Sequence, residues 1–170
     1  MRTPTSIAGH PLHPMLVTLP IGLWVFSLVC DVILVTGHNP DLWFTVAYVT
    51  MAGGVGGAVL AGLVGAVDLA ALPRGHARAV AWAHMTLNLV VTALYLLNLW
   101  LRTGPLESMV MPLLLSLTAV IILGISGWLG GELVHVHLVG VDTDEPARRA
   151  GRRAGTALRP DRPRDTRSRA

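Results

Sequence analysis

The sequence predicts an all-α integral membrane protein, a four-helix bundle in up-down-up-down order followed by a disordered, arginine-rich C-terminal tail. Of its 170 residues, 52% are hydrophobic and only 14% are charged, whereas a soluble domain has about 25% charged residues. The apolar residues are gathered in four stretches, and each reaches the roughly 20 residues needed to cross a bilayer. These predicted spans are residues 14–36, 42–72, 79–101 and 108–134.

The first span is predicted to begin at Pro14, because proline suits the first position of a helix. Its apolar part is longer than the about 7–15 residues of a signal-peptide core, and no small-residue cleavage site follows it. We therefore interpret it as a membrane span. Pro20 cannot donate a hydrogen bond to the carbonyl of Leu16, which predicts a bend within this helix.

The second span is rich in small residues. Gly53, Gly57, Ala61 and Gly65 recur every four residues, and such stripes let helix backbones approach closely in lipid. The stripe therefore predicts close packing, either within the bundle or between copies of the chain in a homo-oligomer.

The third span carries a polar face. His84, Asn88, Thr92 and Tyr95 follow one another at steps of four, four and three residues, so they lie on one side of a helix. A polar face within a span normally points to the bundle interior. The connections between the spans are short, which favours antiparallel neighbours and hence the up-down-up-down order.

Residues 1–141 form the predicted transmembrane domain, and residues 142–170 form the predicted tail. The tail contains nine arginines and five acidic residues, and we expect it to be disordered. All of the 13 arginines except Arg102 fall on the side of the two termini, which the positive-inside rule places in the cytoplasm. The tail is then expected to bind anionic lipids. It has no aromatic residue to stack on bases, so no nucleic acid is expected as a partner.

Several side chains that can bind a metal or carry a proton are expected to meet at the cytoplasmic end of the bundle. The segment His10-Pro11-Leu12-His13-Pro14 opens the first span, and imidazole is a common ligand of haem iron, zinc and copper. Alternating helix directions bring the other candidates to the same layer. These are Asp68 in the second span, His84 in the third, and Glu132, His135 and His137 at the end of the fourth.

The candidates differ in their expected roles. His13 is a better ligand candidate than His10, because it is nearer the core. Asp68 either accepts the ring N–H of a histidine and so orients it, or pairs with a nearby arginine. Glu132 and His135 have the Glu-x-x-His spacing of di-iron carboxylate bundles, but the other helices lack matching motifs.

Three motifs carry a resemblance to a known family. They are HPLHPMLVTLPIGLW at the first span, AHMTLN around His84, and GGELVHVHLVGV at the end of the fourth span. Together with Asp68, they resemble the bacterial membrane family known as domain of unknown function 2231, over about residues 9–141. The resemblance implies a four-helix protein of the bacterial inner membrane, in which His137 matches the usual histidine and His135 replaces a usual aromatic residue. Members are sometimes joined to Rieske iron–sulfur domains, which implies an electron-transfer setting, although no such module is present in this sequence.

The leading hypothesis is a membrane redox component that binds haem b or a transition metal ion through His13 and His84. The first and third helices of such a bundle can face each other across the core, as two axial histidines require. His137 is the alternative haem ligand, and Glu132 and His135 are alternative metal ligands. A redox partner in the membrane is then expected.

Two other functions stay open. A proton- or solute-conducting protein would use His84, Asp68 and Glu132 as a relay, but few titratable groups are expected in the outer half. A structural assembly subunit would use the histidines only to tie helix ends together. The sequence shows no nucleophile with a paired base, no phosphate loop and no zinc-protease motif, so no catalytic activity of its own is expected.

Overall fold

Four helices that are long and apolar enough to cross a membrane pack against one another in the computed structural model, which describes residues 3–105 and 108–141. They are numbered here as spans 1 to 4: Leu12–Val35, Pro40–Ala71, His76–Leu101 and Val110–His135. The all-α membrane fold is therefore confirmed. The predicted tail lies outside the described residues.

Span 1 is interrupted at a single residue. It consists of helix α1 over Leu12–Leu16 and helix α2 over Thr18–Val35, with Val17 between them. Because Pro20 has no N–H, the carbonyl of Leu16 loses its helical partner at this point. The interruption therefore lies where the proline was expected to disturb the helix.

A short hairpin precedes span 1. Strand β1, Ser6–Ile7, pairs antiparallel with strand β2, His10–Pro11. The turn residues Ala8 and Gly9 have φ values of 51° and 83°, and a two-residue hairpin turn of this kind needs positive φ at both positions. The hairpin was not predicted, and it places His10 in a strand before the first span.

Spans 1 and 3 run in the same direction and lie diagonally across the core from each other, and three pairs of residues join them at successive levels. In each pair the two residues are 71 positions apart in the sequence. The pairs are His13 with His84, Trp24 with Tyr95, and Asp31 with Arg102. A constant separation means that spans 1 and 3 are parallel and in register. Since each span also bonds the span that follows it through its histidine, the described residues contain an internal repeat of two helical hairpins, spans 1–2 and spans 3–4.

Spans 1 and 2 form the first of these hairpins. His13, at the start of span 1, bonds the carbonyl of Ala61 late in span 2 at 2.9 Å. Trp24, further along span 1, donates from Nε1 to the carbonyl of Met51, earlier in span 2, at 3.3 Å. The two helices therefore run in opposite directions. How the spans are ordered across a membrane stays a prediction.

The small-residue stripe of span 2 packs against span 1. A Cβ atom at Gly57 would lie 3.1 Å from Cδ of Pro20, and one at Gly65 would lie 2.8 Å from the ring of His13. Glycine is needed at both positions because the neighbouring side chains occupy the space of a Cβ atom. The stripe thus serves packing within the chain, while a homo-oligomer stays a prediction.

The outside of the bundle is apolar. Leu63, Leu89, Trp100 and Trp128 are 64%, 63%, 69% and 79% exposed. Soluble monomers rarely expose contiguous apolar surface of large extent, whereas lipid tails are a favourable environment for it. The exterior therefore agrees with a multi-pass membrane protein.

Candidate functional site

Two histidine rings face each other near one end of the bundle, called the histidine end below. His13 belongs to the start of span 1 and His84 to span 3. Their ring centroids are 6.2 Å apart and their planes are at 87°. Both side chains are partly buried. The two leading ligand candidates from the sequence are therefore brought together by the internal repeat.

Each ring is held by a backbone carbonyl of the neighbouring span. His13 Nδ1 lies 2.9 Å from the carbonyl oxygen of Ala61, and His84 Nδ1 lies 2.8 Å from that of Ser126. A carbonyl oxygen only accepts, so Nδ1 carries the proton and Nε2 keeps its lone pair in each neutral ring. Metal-ligating histidines are commonly fixed in this way.

Asn88 contacts the remaining nitrogen of His84. Its Nδ2 donates to Nε2 of His84 at 3.1 Å, and also to the carbonyl of His84 and Oγ of Ser126, both at 2.8 Å. A ligand at Nε2 would displace only the longest of these three contacts. Asn88, a member of the predicted polar face, thus connects His84 to span 4.

A glycine of the neighbouring span lies beneath each ring. A Cβ atom at Gly65 would lie 2.8 Å from Cε1 and Nδ1 of His13, and one at Gly130 would lie 3.1 Å from Cε1 of His84. Either substitution would push on the ring. The absence of a side chain at Gly65 and Gly130 therefore lets each imidazole lie close to the backbone of the neighbouring span.

A cavity of about 390 Å³ opens beside the two rings. All four spans contribute to its wall, which is mostly apolar, and both facing histidines line it. Val139 and Gly140, in the segment that follows span 4, line it as well. Its volume falls in the range of about 300–1,000 Å³ that is usual for small-molecule and cofactor sites.

A second group of metal-capable side chains lies at the same end. His76, Glu132 and His137 each offer one ligand atom, and these atoms lie within 4.8 Å of one another. His76 Nδ1 is 3.4 Å from His137 Nε2, which is 3.7 Å from Glu132 Oε1. Two of the three were sequence candidates. His76 was missed, and it becomes the first residue of span 3.

The remaining candidates have other neighbours. Asp68 accepts hydrogen bonds from the backbone N–H and the hydroxyl of Thr5, at 3.2 and 2.7 Å, so it anchors the N-terminal hairpin. His10 is exposed and its Nδ1 bonds a carbonyl of the hairpin turn at 3.2 Å. His135 is exposed and its Nδ1 bonds the Gly131 carbonyl of its own helix at 2.9 Å. Within residues 3–105 and 108–141, none of these three bonds to either facing ring.

The opposite end of the bundle holds a buried ion pair. Arg102 Nη2 lies 2.6 Å from Asp31 Oδ1, and both side chains have no exposed surface. Ser116 donates to Oδ2 of Asp31 at 2.8 Å, and Arg102 Nε donates to Oδ1 of Asn98 at 2.9 Å. Few titratable groups were expected in this half, and the structure pairs two of them, Asp31 and Arg102, in the core.

A comparison with known families agrees with this architecture. The family described as "Predicted membrane protein (DUF2231)" matches residues 9–143, which include both facing histidines and the whole second group. The chain belongs to this family. The resemblance seen in its sequence motifs is thereby confirmed. No curated protein and no solved structure matches the chain significantly.

Proposed function

We propose that this DUF2231 protein binds haem b between His13 and His84 and acts as a redox component of the membrane. One observation carries the proposal. Two equivalent histidines, each fixed through Nδ1 by a backbone carbonyl, face each other beside a mostly apolar cavity.

The spacing of the rings suits a shared metal centre. A transition metal ion bonded at about 2.0–2.1 Å to Nε2 of two opposed imidazoles holds the ring centroids about 6.5 Å apart. The separation of His13 and His84 is 6.2 Å. The centroid separation is therefore close to that of two imidazoles bonded to one metal ion.

Haem fits these residues better than a bare ion does. Two neutral imidazoles alone leave a transition metal with an incomplete set of ligands, whereas the porphyrin provides four further nitrogens. The mostly apolar wall of the cavity also suits a macrocycle. His137 is less suited as an axial partner, because its Nε2 already lies beside Glu132 and His76.

Haem iron with two histidine ligands supplies one-electron transfer. His13 and His84 would hold the iron, while the carbonyls of Ala61 and Ser126 would fix the ring orientation and raise the basicity of the ligands. The apolar wall would exclude water. Axial ligands, hydrogen bonds and burial together would set the reduction potential.

The open alternative of a proton relay is less well supported. The facing histidines and the Asp31–Arg102 pair lie at different levels, and the stacked rings of Trp24 and Tyr95 lie between them with centroids 4.5 Å apart. A relay needs hydrogen-bonding groups along its whole path. A stack of two buried aromatic rings is a poor path for a proton.

An absorption spectrum of the protein, purified in detergent after expression with haem precursor, tests the proposal. We expect a Soret band and one haem per chain. His13→Ala and His84→Ala should each abolish the band, while His38→Ala, in the exposed turn between spans 1 and 2, should keep it. The proposal is wrong if the unaltered protein binds no haem, or if both ring variants bind it normally.

The same spectra, together with the stability of the variants, distinguish the haem proposal from the assembly-subunit alternative. If the histidines only tie helices together, the two alanine variants will be less stable than the unaltered protein, which itself will carry no cofactor. A proton relay predicts instead a proton flux in liposomes that falls in His84→Ala. Neither result is expected for a haem protein.

We further propose that the histidine end faces the cytoplasm in the plasma membrane of a bacterium. Arg74 lies between spans 2 and 3 and Arg78 lies in the first turn of span 3, both at this end, whereas Arg102 at the other end is neutralised by Asp31. The positive-inside rule then favours cytoplasmic termini, with the tail near anionic lipids and a redox partner at the same surface.

Cysteine labelling in intact cells tests this orientation. The single native cysteine is buried, so it gives little background. An impermeant thiol reagent should label His38→Cys and not Arg74→Cys. The reverse pattern would place the termini outside.

A further inference from the structure

We propose that His76, Glu132 and His137 form a second, separate site for one divalent transition metal ion, with zinc the best fit. The ligand atoms would be Nδ1 of His76, Oε1 of Glu132 and Nε2 of His137. This site goes beyond the proposed haem site and shares no ligand with it.

The distances between the ligand atoms match a tetrahedral ion. An ion bonded to nitrogen and oxygen at 2.0–2.2 Å keeps its ligand atoms about 3.3–3.6 Å apart. His76 Nδ1 and His137 Nε2 are 3.4 Å apart, and His137 Nε2 and Glu132 Oε1 are 3.7 Å apart. All three atoms lie within 4.8 Å of one another, so an ion can be enclosed by small side-chain movements.

The ligand chemistry favours zinc over calcium or magnesium. Two imidazoles and one carboxylate form a set that zinc uses with water in the fourth position. Calcium and magnesium prefer oxygen ligands throughout. His76 is exposed, and Glu132 and His137 are partly buried, so the fourth position is open to solvent.

The backbone brings the three ligands together from two elements. His76 is the first residue of span 3, and Glu132 lies in the last turn of span 4. The N–H groups of Val136 and His137 both bond the carbonyl of Glu132, at 2.9 and 3.2 Å. These two hydrogen bonds turn the chain at the end of span 4, so that the His137 ring lies near the Glu132 carboxylate. The three ligands therefore come together only when the end of span 4 is folded.

The ion would tie down the segment that covers the cavity. After His137 the chain turns through Leu138, with φ of 53°, and Gly140, with φ of 80°. Val139 and Gly140 line the cavity, and Gly140 lies beside Pro11, since a Cβ atom on Gly140 would lie 3.4 Å from it, at ordinary contact distance. A metal ion bound to His137 would restrict the motion of this segment at the cavity wall. We therefore expect residues 136–141 to exchange amide hydrogens more slowly in the zinc-bound protein.

The test uses the full chain in detergent, stripped with a chelator and titrated with Co²⁺ as a spectroscopic probe for zinc. We expect one Co²⁺ per chain with the intense visible absorption of a tetrahedral ion, displaced by one equivalent of Zn²⁺. His137→Ala and Glu132→Gln should weaken binding by more than about 100-fold, because removing a group that merely orients a ligand already costs about 10–100-fold.

The chain offers a matched control for these variants. His135→Ala removes an exposed histidine two residues from His137 whose ring bonds its own helix, and it should leave Co²⁺ binding unchanged. His84→Ala should remove haem binding and leave Co²⁺ binding unchanged. The metal site and the haem site can therefore be tested independently. Absence of stoichiometric Co²⁺ binding by the unaltered protein overturns the proposal, and so does an equal loss in His135→Ala.

Discussion

Removing Arg102 should destabilise the bundle strongly, because its carboxylate partner would stay in the core. The guanidinium lies 2.6 Å from Asp31 Oδ1, and neither side chain is exposed. In Arg102→Met, the carboxylate would keep only its hydrogen bond from Ser116 at 2.8 Å. Breaking one partner of a buried ion pair costs about 3–5 kcal/mol, and we expect the free energy of unfolding to fall by that amount.

A double variant shows whether the loss comes from the stranded charge. Replacing both partners of a buried pair by apolar residues of similar volume is often neutral or stabilising by about 1–4 kcal/mol. We therefore expect Asp31→Leu combined with Arg102→Met to recover most of the stability lost in Arg102→Met. The assay is unfolding in mixed detergent micelles at increasing dodecyl sulfate, followed by far-ultraviolet circular dichroism.

Arg74→Met is the matched control, since it removes an exposed arginine from the turn between spans 2 and 3. Substitutions of this kind usually change stability by less than about 0.5 kcal/mol. A stranded charge is excluded as the cause if Arg102→Met costs no more than the control. It is also excluded if the double variant is destabilised by the sum of the two single losses, because the residues then act independently.

Two further perturbations probe the histidine end. Gly65→Ala would place a Cβ atom 2.8 Å from the ring of His13, so haem affinity should fall by about 10–100-fold. Gly56→Ala is the control, because its Cβ atom meets no atom within 4 Å, and it should leave haem affinity unchanged. Equal haem spectra of the two variants would contradict a packing role for Gly65. Thr5→Val removes the 2.7 Å hydrogen bond to Asp68, and a hydrogen bond to a charged group contributes about 1.5–3 kcal/mol to stability. Amide hydrogen exchange in the N-terminal hairpin should therefore become faster in this variant. Unchanged exchange would show that Asp68 does not anchor the hairpin.

The spans and the leading histidines were predictable because their signals are local. Long apolar runs identify a membrane bundle without knowledge of any contact. Alternating helix directions then suffice to bring His13 and His84 to the same end. Their bonds to the carbonyls of Ala61 and Ser126 were not predictable, since they depend on the rotation of each helix about its axis.

The internal repeat left only a weak trace in the sequence. Shifting span 1 by 71 residues onto span 3 aligns few identical residues, among them His13 with His84 and Leu16 with Leu87. Other equivalent positions carry unlike residues such as Asp31 and Arg102, so a search for identity misses them. Only the contacts between spans 1 and 3 identify these positions as equivalent.

His76 was missed for a different physical reason. Pro73 and Gly75 indicate a loop, and Gly75 does adopt a φ of 155° immediately before the helix. The helix nevertheless begins at the very next residue. A helix start predicted from sequence is commonly wrong by one or two residues. Here that difference decides whether His76 lies in a loop or begins span 3 beside His137.

The three pairs along the repeat axis differ in what holds them together. Asp31 with Arg102 combines opposite charges, and Trp24 with Tyr95 stacks two aromatic rings at 6° between their planes. His13 with His84 is a pair of rings in edge-to-face arrangement, with centroids 6.2 Å apart. Both rings donate from Nδ1 to backbone carbonyls, and Nε2 of His84 also accepts a hydrogen bond from Asn88. Among the described residues no hydrogen bond joins the two rings, whereas a metal centre between them would link them directly. Packing explains the glycines beneath the rings, but it does not explain why both rings are imidazoles.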